Sequence, residues 1–104
     1  MGATVVRYRT KPDRADENQK LVEQVYAELD ATRPEGLRYA TFRLDDGVTF
    51  VHVASVETAD GTNPLQSVAA FAEFQRDLAS RCVEAPAPSD ATVVGAYSSP
   101  GPPG

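Results

Sequence analysis

The chain has 104 residues, 41% of them hydrophobic and 24% charged, with a formal net charge of −5. That is one domain of ordinary globular composition, and its acidic balance argues against a nucleic-acid or anionic-membrane surface, since both need clustered Lys and Arg. One His and one Cys cannot supply the usual zinc or copper ligand sets, although counting leaves an all-carboxylate calcium or magnesium site open, and no GxxxxGK(S/T), GxGxxG or GxSxG segment occurs; no cofactor is expected. No apolar run reaches the length of a membrane span and the N-terminus lacks the apolar core of a signal peptide. With Cys82 alone unable to form an internal disulfide, the expected setting is reduced and cytoplasmic.

Ala3 to Lys11 has the β-branched and aromatic content of a strand, and Pro12 stops it. Asp13 is a candidate N-cap, with Asp16 and Glu17 in the first turn, where the helix dipole favours negative charge. Leu21, Val22, Val25, Tyr26 and Leu29 then recur at three- and four-residue spacing, one apolar stripe on a helix ending near Thr32. Arg33-Pro34-Glu35-Gly36 turns the chain into a hairpin, Leu37 to Val56, whose two strands meet at Asp46-Gly47 as a two-residue turn. The pairing sets Arg43 opposite Phe50, Thr41 opposite His52 and Tyr39 opposite Ala54. One hairpin face is then Ala40, Phe42, Leu44, Val51 and Val53, an apolar surface suited to helices. The other carries Tyr39, Thr41, Arg43, Phe50 and His52, and is expected to be the uncovered one.

Asn63 caps a second helix with Pro64 at its first position, and Leu65, Val68, Phe71, Ala72, Phe74 and Leu78 supply its apolar side as far as Arg81-Cys82. Glu84 to Ser89 reads as a loop and Ala91 to Ser98 as a last strand. Residues 99–104, SPGPPG, read as a disordered tail after a single domain spanning 1–98. The order βαββαβ, with two singly striped helices, predicts an α+β ferredoxin-like plait: a four-stranded antiparallel sheet with both helices on one face. The uncovered face would then expose Tyr39, Phe50, Ala54 and Val56, together with Val5 or with Val6 and Tyr8. A patch of that kind on a soluble chain predicts a homodimer packed sheet to sheet.

Three segments carry a resemblance to a known group. The hairpin ends in Val53-Ala54-Ser55-Val56-Glu57, the second helix contains AFAEFQRDL from Ala70 to Leu78, and the chain closes with Val94-Gly95-Ala96-Tyr97. With the topology and length, these resemble the dimeric α+β barrel superfamily, which includes antibiotic-biosynthesis monooxygenases and related small oxygenases. The chain looks most like members of unassigned function: Glu57 is followed by Thr58, where the monooxygenase branch often carries tryptophan, and the second helix has no histidine. The resemblance implies a homodimer, a small organic ligand and, in the oxygenase branch, cofactor-free attack on an aromatic substrate.

His52 is the first candidate for a functional residue, because a strand imidazole could act as a general base near neutral pH or orient a ligand. The plainer reading, which the pattern favours, is a strand histidine pairing with Thr41 or buried in a dimer interface. Arg43 on the same face could hold an anionic group, or pair with an acidic neighbour. Tyr39, Thr41 and Phe50 complete that face. Arg7 and Arg9 share a face of the first strand and would join His52 if Val6 and Tyr8 met the helices, giving a cationic lining for an organic acid. Tyr97 and Tyr39 are further candidates for a pocket wall, and Cys82 reads as a small apolar residue. The function expected on these grounds is binding of a small organic molecule by a dimer; the alternatives are cofactor-free oxygenation of an aromatic and a non-enzymatic structural or regulatory dimer.

Overall fold

In the computed structural model, which describes residues 2–97, the chain runs β1 (Gly2–Thr10), a 3-10 turn (Pro12–Arg14), α1 (Ala15–Thr32), β2 (Leu37–Arg43) and β3 (Thr49–Val56). A second 3-10 turn (Pro64–Ser67), α2 (Ala69–Arg76), α3 (Leu78–Arg81) and β4 (Cys82–Thr92) follow. The sheet order is β2-β3-β1-β4 with every neighbouring pair antiparallel, and the helices lie on one face. This is the ferredoxin-like α+β arrangement that the order of elements implies. Residues 99–104, expected to be a tail, lie outside the described residues.

The hairpin register is the expected one, with Arg43 opposite Phe50, Thr41 opposite His52 and Tyr39 opposite Ala54. Its turn is wider than two residues. Gly47 N–H closes a turn onto Leu44 O at 2.9 Å, Gly47 takes φ +76°, and the Asp46 carboxylate accepts from the backbone N–H groups of Val48 and Thr49. These bonds draw the Asp46 carboxyl down to about 2, the Thr49 hydroxyl contributing most.

The two faces of the sheet are the reverse of those expected. Tyr8, Phe50 and His52 are buried beneath the helices, at 1%, 1% and 6% exposure, with Val6, Tyr39 and Ala54 packed around the same core. Ala40, Phe42 and Leu44 face away, Phe42 being 54% exposed. Strand alternation follows: Val6 pairs with His52 and Tyr8 with Phe50 on the covered side, so Arg7 and Arg9 lie on the uncovered side. Arg9 there forms an exposed ion pair with Glu84 at 2.8 Å, a contact of small energetic weight. The mixed face can go inward because its polar atoms satisfy one another.

Three local expectations also change. Asp13 sits inside the 3-10 turn and does not cap α1; its flanking residue Arg14 instead pairs with Glu17 at 2.9 Å. The helix expected from Pro64 to Arg81 is broken at Val68, which is extended and buried, and again at Asp77. Asn63 does accept from Leu65 N–H, but it caps only the short turn. The new start at Ala69 is held from outside, since the Glu28 carboxylate of α1 accepts from Ala69 N–H at 3.1 Å and Ala70 N–H at 3.0 Å.

Finally, β4 occupies the segment read as a loop. Its Pro86 and Pro88 are tolerated because β4 is an edge strand and its pairing with β1 is irregular between Arg7 and Arg9. Thr92 pairs with Gly2 at the start of β1, so the chain beyond it has no partner edge. Val93 to Tyr97 accordingly leave the sheet, with Val94 and Tyr97 almost fully exposed, and Ser98 lies outside the described residues.

Candidate functional site

His52 is the hub of a buried polar network. Its Nε2 lies 2.8 Å from the Tyr8 hydroxyl, and its Nδ1 lies 2.6 Å from the Tyr39 hydroxyl and 3.2 Å from Thr41 Oγ1. Thr41 Oγ1 in turn meets the Tyr26 hydroxyl of α1 at 2.9 Å. On the other side, Asn18 Nδ2 donates to the Tyr8 hydroxyl at 2.8 Å, and Arg81 Nε donates to Asn18 Oδ1 at 3.2 Å. Arg81 also donates to Phe74 O at 2.7 Å and lies over the Phe74 ring, 5.5 Å from its centre. No buried side-chain nitrogen or oxygen among the described residues lacks a partner, which is the condition for burying so many polar groups.

Burial governs the acid–base character of this cluster. It pushes the His52 imidazole down to about 4, because an imidazolium here would lose its hydration without gaining a carboxylate. The Tyr39 phenol is pushed up to about 12 and the Tyr8 phenol higher still, in each case mainly by burial. At neutral pH the site is therefore a neutral imidazole between two neutral phenols.

A cavity of about 670 Å³ opens beside this hub, between the sheet and helices α2 and α3. Val6, Tyr39, His52 and Ala54 form its sheet wall, Phe71, Phe74 and Leu78 its helical wall, and Pro86 and Pro88 of β4 its side. The prolines that made this segment look like a loop thus form one wall of the cavity. Asp90 is the single charged group among the described lining residues.

Of the residues singled out from sequence, Tyr39 and His52 reach the cavity. Thr41 stands behind His52 as a bond to Nδ1, and Phe50 lies in the core, stacked on Tyr8 with ring centres 5.5 Å apart. Arg43 is at the far end of the sheet face, where it bonds Gln19 at 2.7 Å, Asp16 at 3.1 Å and Gly47 O at 2.9 Å. Arg7 and Arg9 are on the opposite side of the sheet from His52, so the cationic lining does not form. Tyr97 is 91% exposed and away from the site. Sequence reasoning missed Tyr8, Asn18 and Arg81. Asn18 carried a readable sign, because it stands three residues after Ala15 and four before Val22, on the buried stripe of α1.

This backbone has solved counterparts. Rv0793 from Mycobacterium tuberculosis superposes with a TM-score of 0.72 at 14% identity, over 93% of this chain and 98% of that one. An antibiotic biosynthesis monooxygenase superposes at 0.69 and 15% identity, over 91% of this chain and all of that one. The chain shares the ferredoxin-like α+β fold of these proteins. A variant of SnoaB, a cofactor-independent oxygenase from Streptomyces nogalater, matches this chain at a TM-score of 0.66 and 15% identity, covering 91% and 94% of the two chains. No protein-family model and no curated protein matches the chain in sequence. Among the described residues no group of His, Cys, Asp and Glu is placed to hold a metal ion, and no helix is long and apolar enough to cross a membrane.

Proposed function

We propose that the cavity binds a neutral, largely apolar organic molecule of fused-ring size, oriented by Tyr39 with His52 behind it. The observation that carries this reading is the cavity itself, about 670 Å³ with largely apolar walls and one imidazole bonded by two phenols. Ligand pockets commonly fall between about 300 and 1,000 Å³ and have this few-polar-groups character. With Asp90 the single charged lining residue described, a carboxylate ligand would find no cation, so the reading favours an uncharged molecule over an organic acid. The lone Cys82 fits a reducing, cytoplasmic setting.

The same proposal includes a homodimer through the uncovered sheet face. Val5, Ala40, Phe42, Val51 and Val53 form an apolar strip there, flanked by Arg7 and Arg9. Monomers rarely leave such a face in water, and a two-fold dimer is the commonest cover.

A melting-temperature series with neutral one-, two- and three-ring aromatics tests the cavity. Wild-type protein is expected to gain stability with the two- and three-ring members, and Ala54→Trp, which fills the cavity, to lose that gain while staying folded. A flat response across the series would discard the binding reading.

One observation favours a catalytic form of this reading. His52 is a neutral imidazole on the cavity wall, and its unprotonated nitrogen meets the hydroxyl of Tyr8, which also lines the cavity, so a substrate proton would reach it by relay through Tyr8. Removal of a proton from an electron-rich aromatic would give an anion that reduces O₂ directly, turning a ring CH₂ into C=O with release of water. SnoaB, a structural counterpart, is named a cofactor-independent oxygenase. Oxygen uptake with hydroquinone and anthrone-type probes, compared between wild type and His52→Ala, tests this form.

A further inference from the structure

The hydrogen bonds around His52 have a direction, and it is set at the end furthest from the cavity. Arg81 is 1% exposed and its guanidinium can only donate. Its bond to Asn18 Oδ1 at 3.2 Å therefore fixes which way the Asn18 amide points. Nδ2 of that amide can only donate, and it does so to the Tyr8 hydroxyl at 2.8 Å. Tyr8 then accepts from Asn18 and must place its own proton elsewhere. At 1% exposure its one other partner is His52 Nε2, 2.8 Å away. Were Nε2 to carry a proton, the Tyr8 oxygen would receive two donors and its own proton would be stranded in the core. Nε2 is thus the acceptor, and the imidazole proton sits on Nδ1, shared between Tyr39 at 2.6 Å and Thr41 at 3.2 Å.

We propose that Arg81, acting through Asn18 and Tyr8, holds His52 in the Nδ1–H tautomer, so that Tyr39 meets the cavity as a hydroxyl donor. Tyr39 accepts from Nδ1 and keeps its own proton for whatever occupies the cavity. The group it suits is an acceptor oxygen such as a carbonyl; a group that must donate finds Tyr39 already accepting. Arg81, Asn18 and Tyr8 are positioning residues in this scheme, since none of the three donates to the ligand. The buried guanidinium has no carboxylate partner among its bonds, only Asn18 and Phe74 O, which accords with a directing role. The tautomer stands independently of the cavity reading, while the ligand preference rests on it.

The chain has a single histidine, so a long-range ¹H–¹⁵N correlation spectrum reads this tautomer without assignment. Wild-type protein is expected to show a pyrrole-type Nδ1 and a pyridine-type Nε2 at neutral pH. Asn18→Asp keeps the shape of the side chain and pairs with Arg81, yet offers Tyr8 only acceptors. Tyr8 then donates to Asp, accepts from Nε2–H, and the tautomer inverts. Arg81→Met frees the Asn18 amide to turn over and gives the same inversion, whereas Arg81→Lys, still a pure donor, restores the wild-type pattern. An Nε2–H or doubly protonated imidazole in wild type overturns the proposal. So does an unchanged tautomer in folded Asn18→Asp or folded Arg81→Met.

The ligand half is read with 1-tetralone, which can only accept, against 2-naphthol, which can donate. Wild type is expected to favour 1-tetralone, and Asn18→Asp to shift that ratio about ten-fold toward 2-naphthol. If neither probe binds although the tautomer inverts, the cavity reading fails and the positioning role stands. If both bind with a ratio unmoved by the inversion, the donor role of Tyr39 is overturned.

Discussion

Tyr39 and His52 meet diagonally across β2 and β3. The phenol oxygen is 2.6 Å from Nδ1, although Tyr39 faces Ala54 in register and His52 faces Thr41. The diagonal reach brings a β2 side chain over the middle of the sheet and onto the cavity wall, where the ring of Tyr26 stacks on Tyr39 with centres 5.2 Å apart. An imidazole and its hydrogen-bond partner are thus held by strands, while the cavity beside them is closed by short helices. The strands hold geometry well, and the helices can adapt to what binds.

Acid should weaken the fold through His52. Its imidazole titrates near 4 in the folded chain, because burial disfavours the charge, against 6.5 when unfolded. As pH falls from 7 the unfolded chain takes up the proton first, so stability is lost through this window and the loss levels off below the folded value. From those two values the loss is about 2 kcal/mol at pH 5 and about 3 kcal/mol near pH 4. Urea titrations at pH 7 and pH 5 measure it. His52→Gln should flatten the difference between these two pH values; an undiminished slope in that variant would assign it to other groups.

Phe42→Glu should convert a dimer to a monomer. Phe42 is 54% exposed on the uncovered face, so the substitution disturbs no core contact and leaves folding nearly unchanged. At a two-fold sheet-to-sheet contact it would set like charges close together in an apolar strip. Light scattering at micromolar concentration is expected to give twice the chain mass for wild type and the chain mass for the variant. A monomeric wild type would mean that the strip needs a different explanation.

The order of elements, the hairpin register and the ferredoxin-like topology were legible because each rests on local patterns: alternation, helical stripes and turn residues. The choice of covered face was not, because it turns on whether polar atoms far apart in sequence find one another. Ala40, Phe42, Val51 and Val53 read as the natural inner face by apolarity alone. The face that is in fact covered carries His52, Tyr39 and Thr41, and its burial is possible through partners from β1, α1 and α3, namely Tyr8, Asn18, Tyr26 and Arg81. The hairpin contains none of these. Likewise Pro86 and Pro88 signalled a loop until the sheet order placed β4 on an edge.

Glu28→Ala should loosen the roof of the cavity. The Glu28 carboxylate takes the place of an N-cap for α2, accepting from two of its first N–H groups, while Val68 before the helix offers no side-chain cap. Loss of an N-cap typically costs about 1 kcal/mol. Phe71 and Phe74 of that helix line the cavity, so affinity for a fused-ring probe should fall along with stability. Glu28→Gln retains an acceptor oxygen and should recover part of both. Equal loss of stability without any change in probe binding would separate α2 from the site.

Gly36→Ala should destabilise the chain far more than Gly47→Ala. Both glycines take positive φ, +80° and +76°, so each substitution carries the left-handed penalty of about 1 kcal/mol. The difference is space. A methyl at Gly47 meets nothing within 4 Å, whereas at Gly36 it would lie 2.7 Å from Glu57 O and 2.9 Å from the Thr58 methyl. Gly36 O also accepts from Glu57 N–H at 2.6 Å, so the chain entering β2 cannot retreat without breaking the bond that pins it to the end of β3. The sum should approach about 3 kcal/mol for Gly36→Ala against about 1 kcal/mol for Gly47→Ala. Denaturant midpoints of the two variants give the comparison directly. Val56, next to this clamp, lines the cavity, so Gly36→Ala should also weaken probe binding while Gly47→Ala leaves it intact.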